Sequence, residues 1–588
     1  MKTRKYIVAA LVAALSLSAC EKWLDTQNYT ASNTANFPAT FEEAEMMVTA
    51  IYSNLNHMSS RPTGNFFMVS ELASDDRFGG GSGSGGSNKA IDHLMVDNET
   101  VFDFSWEHYY KGVYLANSAL EGLKLMEGSA SDKEYYNQLL GESYFMRALY
   151  YFELASIFEN VPLITSTTQD SNSPQASVED LYGQIASDLK QGIDLMSGKA
   201  YNAYVASGHA TRWAAEALMA RVFLFYTGFY GKDSLPLADG GAVSKSEVIA
   251  WVDDCIEHSG HDLVGDYRNL WTYTNEYTVD DYVYTAGVSG VDGQPLRWVG
   301  NGNKEEVFAV KYMNYCGYYY PGQEGYSNFY VPFFGFYGTN GTGNTFPYGN
   351  GNGYGTVASR LWTEWESSEP GDLRLKASIL RVEDELPDYD TGDISGQWED
   401  CGFWGKKMLP VLANAAYERQ GSWVNSLFWA AYPDFDQANN YGITNWGAHF
   451  QDLILIRFAD VLLMQSELKE DAAGLNRVRA RAGLGSEAYS LEAIQKERRH
   501  ELCFEGVRWN DIRRWHIAES ALSSQNNTTM NNGGTTVVMR DGKYESRYKA
   551  TNGFFPVPAA QIRLSAGVLK QNPGWDGADA RYTTWNFD

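Results

Sequence analysis

Apolar positions along this chain change their rhythm from region to region, and that division sets the expected architecture. From Phe41 to Leu55 they return every three or four residues (Phe41, Ala44, Met47, Val48, Ile51), the spacing of one helical face. The same rhythm predicts helices over Phe104–Met126, Glu134–Phe158, Val178–Met196, Ala210–Tyr230 and Val248–Glu257. Within Glu134–Phe158, Ala148 and Ala155 sit beside Tyr144, Tyr151 and Phe152, and stacked helical hairpins require such alternation of small and large residues. The repeat is degenerate but tetratricopeptide-like. From about 262 to 450 the periodicity fades into Gly, Asn, Tyr and Trp, predicting short strands and long ordered loops. Helices are expected again over Asp452–Leu468, Asp471–Ala482 and Leu491–Arg514, with a loop-rich end at 515–588. The predicted fold class is mostly α: a tetratricopeptide-like α-superhelix elaborated by long loops and few short strands.

One stretch breaks the usual link between aromatics and regular structure. Residues 312–338 hold 12 aromatics among 27 residues, yet Gly317, Pro321, Gly322, Gly325, Pro332, Gly335 and Gly338 interrupt every element. We expect Phe329–Tyr337 to pack against the helical scaffold and Tyr315–Tyr320 to face a ligand. Aromatic content of 14% overall, led by Tyr, suits amphipathic ligands with flat C–H faces and hydroxyls.

The N-terminus opens with Lys2, Arg4 and Lys5, then an apolar run (Ile7–Leu17) too short to span a bilayer, and ends Leu17-Ser18-Ala19-Cys20. This resembles a bacterial lipoprotein signal, with Cys20 as the lipidated residue and several acyl chains holding the chain on a membrane surface. Net charge is −27, and a chain without residues 1–19 would carry −30. Such a field repels phosphate backbones, so nucleic acid is not an expected partner. Cys255, Cys316, Cys401 and Cys503 are scattered with no Cys-x-x-Cys spacing, and free buried thiols are expected for most of them.

Several motifs are weaker than they look. Gly81–Gly86 formally matches G-x-G-x-x-G, but polar Glu71–Phe78 precedes it in place of a strand, so a flexible loop is expected. Its neighbours Asp76, Arg77 and Phe78 are candidates for a binding rim. His258 and His261 are separated by the helix-breaking Gly260, which argues against a shared metal. Asp388–Asp393 clusters carboxylates but misses the EF-hand spacing, so a solvated acidic loop is the better reading, with a structural calcium left open there. No cofactor is expected. In Glu497–Trp515, charges alternate with Leu502, Phe504, Trp509, Ile512 and Trp515; Glu497, Glu501 and Glu505 share one helical face, and Glu505–Arg508 is an i,i+3 pair. A structural ion-pair and stacking network is expected there.

That last segment, with Ile454–Glu467, Leu475–Leu484, Phe554–Trp575, Glu142–Ile164 and Trp106–Leu120, resembles the SusD/RagB family of outer-membrane lipoproteins from Bacteroidetes. The resemblance runs the length of the mature chain. It implies a signal peptide over 1–19, a tether over 20–40 and a single SusD-like domain over 41–588. That domain divides into a helical-repeat part (41–260), a loop-rich ligand-contacting part (261–450) and a C-terminal part with the family signature (451–588). It implies a non-enzymatic cell-surface protein that captures oligo- or polysaccharide and delivers it to a SusC-like TonB-dependent transporter in the outer membrane. RagB-type relatives handle peptides, which is the alternative; a surface glycosidase with two converging carboxylates ranks third.

For the glycan reading, Trp106, Trp362, Trp365, Trp509 and Trp515 lie in helical patterns and are assigned to the core. Trp298 in a loop is the better stacking platform, with Tyr315, Tyr318, Tyr319 and Tyr320, and with Asp76, Arg77 and Phe78 opposite; Arg381 is a further candidate. The lipidation reading is tested by metabolic labelling: Cys20→Ala should abolish incorporation of labelled palmitate, and a variant that still takes up label would remove Cys20 from that role.

Overall fold

The computed structural model describes residues 37–83, 86–128, 130–203, 208–276, 278–312, 327–337, 345, 347–386, 389, 396–411 and 449–582. Apart from two short α-helices, Phe66–Leu72 and Gly86–Asp92, six α-helices occur among the described residues of the first half: α1 (Phe41–His57), α2 (Asp103–Met126), α3 (Lys133–Phe158), α4 (Val178–Leu195), α5 (Arg212–Tyr230) and α6 (Lys245–His258). Each packs on the next in chain order, as stacked hairpins do. Polar side chains start them: Thr40, Asp132, Ser177, Thr211 and Ser244 each accept a first-turn N–H that the helix itself leaves unpaired. The helices match the expected ones to within a few residues, because their apolar stripes are long and regular.

Close approach within the stack depends on Gly112. A Cβ at that position would lie 2.3 Å from the Tyr150 ring, so only glycine lets α2 and α3 meet there. Tyr150 is fully buried, and its hydroxyl donates to Ile51 O of α1 at 2.8 Å while accepting from Asn54 Nδ2 at 3.1 Å. One phenol thereby ties three helices together and satisfies its own polar atom.

The second half differs from expectation at two places. The segment expected as a helix from Asp452 begins as a strand, β2 (Leu453–Arg457), and turns helical only at α7 (Phe458–Lys469). Its Leu-Ile-Leu-Ile run pairs antiparallel with β1 (Glu306–Val310), an unpredicted partner that supplies the ladder. The expected helix 491–514 is two, α9 (Leu491–Leu502) and α10 (Arg508–Arg514), after α8 (Ala473–Arg481). Phe504 and Gly506 take φ of 66° and 72°, which breaks the helix. At Gly506 the backbone passes against Phe67, and its N–H donates to Glu71 Oε1 at 2.8 Å. In the region expected to be loop-rich, a hairpin pairs Thr528–Asn532 with Thr535–Met539 around Gly533-Gly534.

Phe329, Tyr330, Phe334 and Phe336 are buried, as expected for the scaffold-packing half of the aromatic stretch; its other half lies outside the described residues. Trp106, Trp362, Trp365 and Trp509 are buried and Trp515 packs half-buried against the core. Cys255, Cys401 and Cys503 are free thiols, whereas Cys316, Cys20 and most of Asp388–Asp393 lie outside the described residues. Among the described residues no helix is long and apolar enough to cross a membrane.

Buried charge joins the loop-rich region to the C-terminal helices. Glu501 of α9 is fully buried and meets three guanidiniums: Arg374 at 2.9 Å, Arg457 at 2.8 Å, and Arg481. Arg374 also reaches Glu497 at 2.6 Å, while Arg457 binds Glu505 at 2.7 Å and Glu305. Burial pushes the Glu501 carboxyl up, but Arg481, Arg457 and Arg374 together hold it well below the usual range. The expected Glu505–Arg508 pair does not form: Glu505 binds Lys407 and Arg457, and Arg508 turns to Asp75, because the backbone break moves the two apart. Removing one member of such a network strands the others without water or partner. Glu501→Ala should therefore cost about 3–5 kcal/mol in urea unfolding, and Glu501→Gln should also destabilise; a loss under about 1 kcal/mol, the surface-pair scale, would show the network to be dispensable.

Candidate functional site

Where β1 and β2 meet the loop-rich region, the chain builds a small recess that opens to solvent. Its wall is made by two consecutive 3₁₀ turns, Tyr267–Leu270 and Thr272–Thr274, separated by Trp271. The loop carrying Trp298 is held to these turns by backbone bonds: Trp298 N–H donates to Thr274 O at 3.0 Å, and Val299 N–H to Asn269 O at 2.9 Å. Asn301 joins that loop to β2, donating to Phe450 O at 2.7 Å and accepting from Asp452 N–H at 3.1 Å. Trp298 is half-buried against Phe450, with ring centres 6.2 Å apart, and Trp271 lies deeper. A ring that is held yet accessible loses little freedom when a second flat surface covers it.

Three polar groups in this cavity lack protein partners: Trp271 Nε1, Thr272 Oγ1 and the Gln451 side-chain nitrogen. All three are buried, and buried donors are almost always satisfied. Grouped in one cavity, they form a donor set for something that enters, whether water or a ligand hydroxyl.

The charged groups are already engaged. Glu505 is held by Arg457 and Lys407, and Lys407 lies over Trp271 with its nitrogen 4.8 Å from the ring centre. Lys311 bridges Glu306, at 2.9 Å, and Asp452. Two carboxylates thus share one ammonium. Burial, then the charge of Glu306, pushes the Asp452 carboxyl up to about 7 against the opposing pull of Lys311.

Of the residues singled out from the sequence, Trp298 lines this cavity. Tyr315, Tyr318, Tyr319 and Tyr320 lie outside the described residues. The rim expected at Asp76, Arg77 and Phe78 is corrected: all three are buried. Asp76 binds Arg499 at 2.6 Å; Arg77 binds Glu71 at 2.7 Å and is clamped between Phe334 and Phe504, 4.4 and 4.2 Å from their ring centres. The paired charges there neutralise interior arginines, so they are scaffold. Of the flexible loop expected over Gly81–Gly86, Gly81 is buried and Gly83 exposed, residues 84 and 85 lie outside the described residues, and Gly86 begins a short helix, Gly86–Asp92. Arg381 is not among the cavity's lining residues; it pairs with Glu383 at 2.6 Å.

Trp271, Thr272, Asn301 and Gln451 were missed. Trp271 met the criterion that selected Trp298, a tryptophan outside any helical pattern, and could have been found by it. Thr272 and Gln451 carry no sequence signal, because their role comes from lacking a partner in three dimensions, and Asn301 carries none because its partners lie about 150 residues on.

Among the described residues one acid–histidine group, Glu369, Asp372 and His500, has its ligand atoms close enough for a metal. Arg479 at 2.6 Å from Glu369 and Arg374 at 2.8 Å from Asp372 already supply the positive charge, and His500 stacks on Trp365 at 4.2 Å. This group is part of the ion-pair network. His258 and His261 are separately engaged, with Asp254 and with Lys304 O.

Comparison with known proteins places these features in context. Residues 22–224 match a SusD-like family described as "Starch-binding associating with outer membrane", and residues 304–575 match the SusD family. A SusD-like protein P2 of Formosa agariphila is 22% identical over 524 residues, covering 84% of this chain and 85% of that protein. A SusD-like protein of Bacteroides ovatus is 27% identical over 174 residues, which span 29% of this chain and 30% of the relative. A solved laminarin-binding SusD-like protein aligns with a TM-score of 0.64 at 23% identity, covering 91% of this chain and 99% of that one. Surface glycan-binding protein A from Bacteroides fluxus aligns at 0.66 and 21%, covering 91% and 100%. At these identities the structural likeness establishes the fold.

The shared ammonium has a measurable consequence. Asp452 keeps its proton in the folded chain at pH values where the unfolded chain has released it. Its contribution therefore favours folding at low pH and is lost as pH rises from about 4 to about 7. Urea midpoints measured across that range should fall more steeply for the native chain than for Asp452→Asn; parallel profiles would contradict the raised carboxyl.

Proposed function

The chain belongs to the SusD/RagB family, and on that premise we propose that it is a cell-surface glycan-binding lipoprotein, anchored in the outer membrane through Cys20. In this reading it captures oligo- or polysaccharide and passes it to a SusC-like TonB-dependent transporter. The loop-rich part, 261–450, carries the ligand contacts, and the protein binds without catalysing. The observation that carries the reading is the pairing of Trp298 and Trp271 with three unpartnered polar groups in one cavity. A sugar ring offers both complements: a C–H face for indole and hydroxyls for N–H and O–H groups.

The cavity's charges weigh against the alternatives. A peptide would need free charge for its termini or side chains, or an open strand edge. Lys407, Lys311, Asp452, Glu306 and Glu505 are all paired within the protein. A glycosidase would need, beside a protonated acid such as Asp452, a second carboxyl free to act as base or nucleophile, and Glu306 and Glu505 are held by Lys311, Lys407 and Arg457. The solved relatives described as binding laminarin, or in complex with laminarihexaose, make β-glucan a first substrate class to try.

Affinity electrophoresis in gels loaded with laminarin, starch, xylan, mannan or pectin tests the reading directly. At least one polysaccharide should retard the chain, and Trp298→Ala should weaken that retardation about fivefold or more, as expected for loss of on the order of 1 kcal/mol of stacking. No retardation in any gel would contradict glycan capture. Release of reducing sugar by the purified chain would overturn the non-catalytic reading.

A further inference from the structure

On the other side of Glu306 and Lys311 lies a second and larger recess, which Tyr201, His209, His261 and Phe308 help to line. Glu306 borders both cavities, so the two are separated by the Glu306–Lys311 pair. His261 is 5% exposed, and its Nε2 has no partner. The ring's other nitrogen, Nδ1, faces the Lys304 carbonyl at 3.0 Å, and a carbonyl can only accept. Nδ1 therefore carries the proton, and burial lowers the pKa to about 4, so the imidazole is neutral at physiological pH. Its Nε2 is then a buried lone pair that can only accept a hydrogen bond. Tyr201 stacks on this ring with centres 4.1 Å apart and planes at 19°, presenting a half-exposed aromatic surface at the cavity.

His209 adds a second imidazole to the wall. Its Nδ1 lies 2.7 Å from Glu142 Oε2, and that carboxylate also accepts from Tyr52 at 2.9 Å. Burial works against a charge on His209, but Glu142 raises its pKa through hydrogen bond and charge. A buried acceptor and a second, held imidazole thus stand beside a flat ring.

This combination excludes most ligand classes. An anion would face the His261 lone pair and the Glu306 carboxylate. A cation would face the Lys311 ammonium. A wholly apolar group would leave Nε2 unsatisfied, at the cost of a buried polar atom. A hydroxyl satisfies Nε2. We propose that this cavity is a second saccharide subsite, in which a sugar hydroxyl donates to His261 Nε2 and the sugar's C–H face lies on Tyr201. This inference rests on the glycan-capture reading and adds a second, separate point of contact for a long glycan. Two weak subsites on one chain raise the retention of a polymer that reaches both, without either being tight.

The test is titration calorimetry of the full chain in detergent with the methyl α- and β-glucosides, methyl α-mannoside, methyl β-xyloside and methyl β-galactoside, each a single ring that occupies one cavity at a time. At least one should bind with two equivalents per chain. Tyr201→Ala should remove one equivalent and leave the one that Trp298→Ala removes. His261→Phe keeps the ring on Tyr201 but deletes the acceptor, and should weaken that site about tenfold, the effect of an unmet polar group worth about 1.4 kcal/mol. A stoichiometry of one, lost in Trp298→Ala and untouched by Tyr201→Ala and His261→Phe, would overturn the second subsite while leaving glycan capture intact. Binding of none of the five would overturn both. Should Tyr201→Ala unfold, His261→Phe decides alone: unchanged affinity and stoichiometry in that variant would refute the proposal.

Discussion

Everything in this structure depends on how Glu501 is neutralised. A carboxylate taken wholly out of water carries a desolvation penalty of several kcal/mol, which only close, well-aligned cations offset. Here the cations come from three separate parts of the chain: Arg374 from the loop-rich region, Arg457 from the end of β2, and Arg481 from α8. The Glu501 carbonyl is used as well, accepting from Lys407 at 3.1 Å and from Tyr267 at 3.2 Å. No one of these segments can leave without exposing an uncompensated charge to the interior. The network therefore acts less as a source of net stability than as a condition that all its members be in place together.

That condition positions the binding surface. Tyr267 and Lys407, fixed by Glu501, flank Trp271, and Arg457 ends the strand that carries Gln451 and Asp452 at its start. The cavity under Trp298 is thus one layer away from the most constrained residues in the molecule. Preorganisation of this kind matters for saccharides, whose hydroxyls are well solvated in water and whose stacking gains are small per ring. A site that had to assemble on binding would lose much of what the indoles and the unpartnered donors offer.

The regular parts of this fold were legible in the sequence, and the exceptions have physical causes. α1 and α4 follow from apolar spacing because each buries one stripe against its neighbours, whereas α3 and α5 are apolar enough to be enclosed on all sides over Phe145–Phe158 and Trp213–Ala220. The strand at Leu453–Arg457 was read as helix because a short apolar run fits either period, and its partner lies more than a hundred residues away. The break between α9 and α10 is written in Gly506, yet the positive φ at Phe504 is imposed by packing. The ion-pair character of Glu497–Trp515 was visible as charge density, although the partner of each charge was not. Asp76 and Arg77 looked like a polar rim beside glycines; only the fold shows that Arg499, Glu71 and two phenylalanine rings enclose them. Trp298 was found because it is aromatic outside a helix, whereas Gln451 and Thr272 are ordinary residues until the fold leaves them unpaired.

The central claim is that one buried network holds α9, the paired strands and the turns that wall the binding cavity as a single cooperative unit. Native-state hydrogen exchange on Arg457→Lys tests it most directly, since lysine keeps the charge but cannot span Glu305, Glu501 and Glu505 at once. The account predicts that α9, the paired strands Glu306–Val310 and Leu453–Arg457, and the turns Tyr267–Thr274 lose protection together. Loss of protection confined to α9, with the strands and turns around Trp271 unchanged, would contradict it.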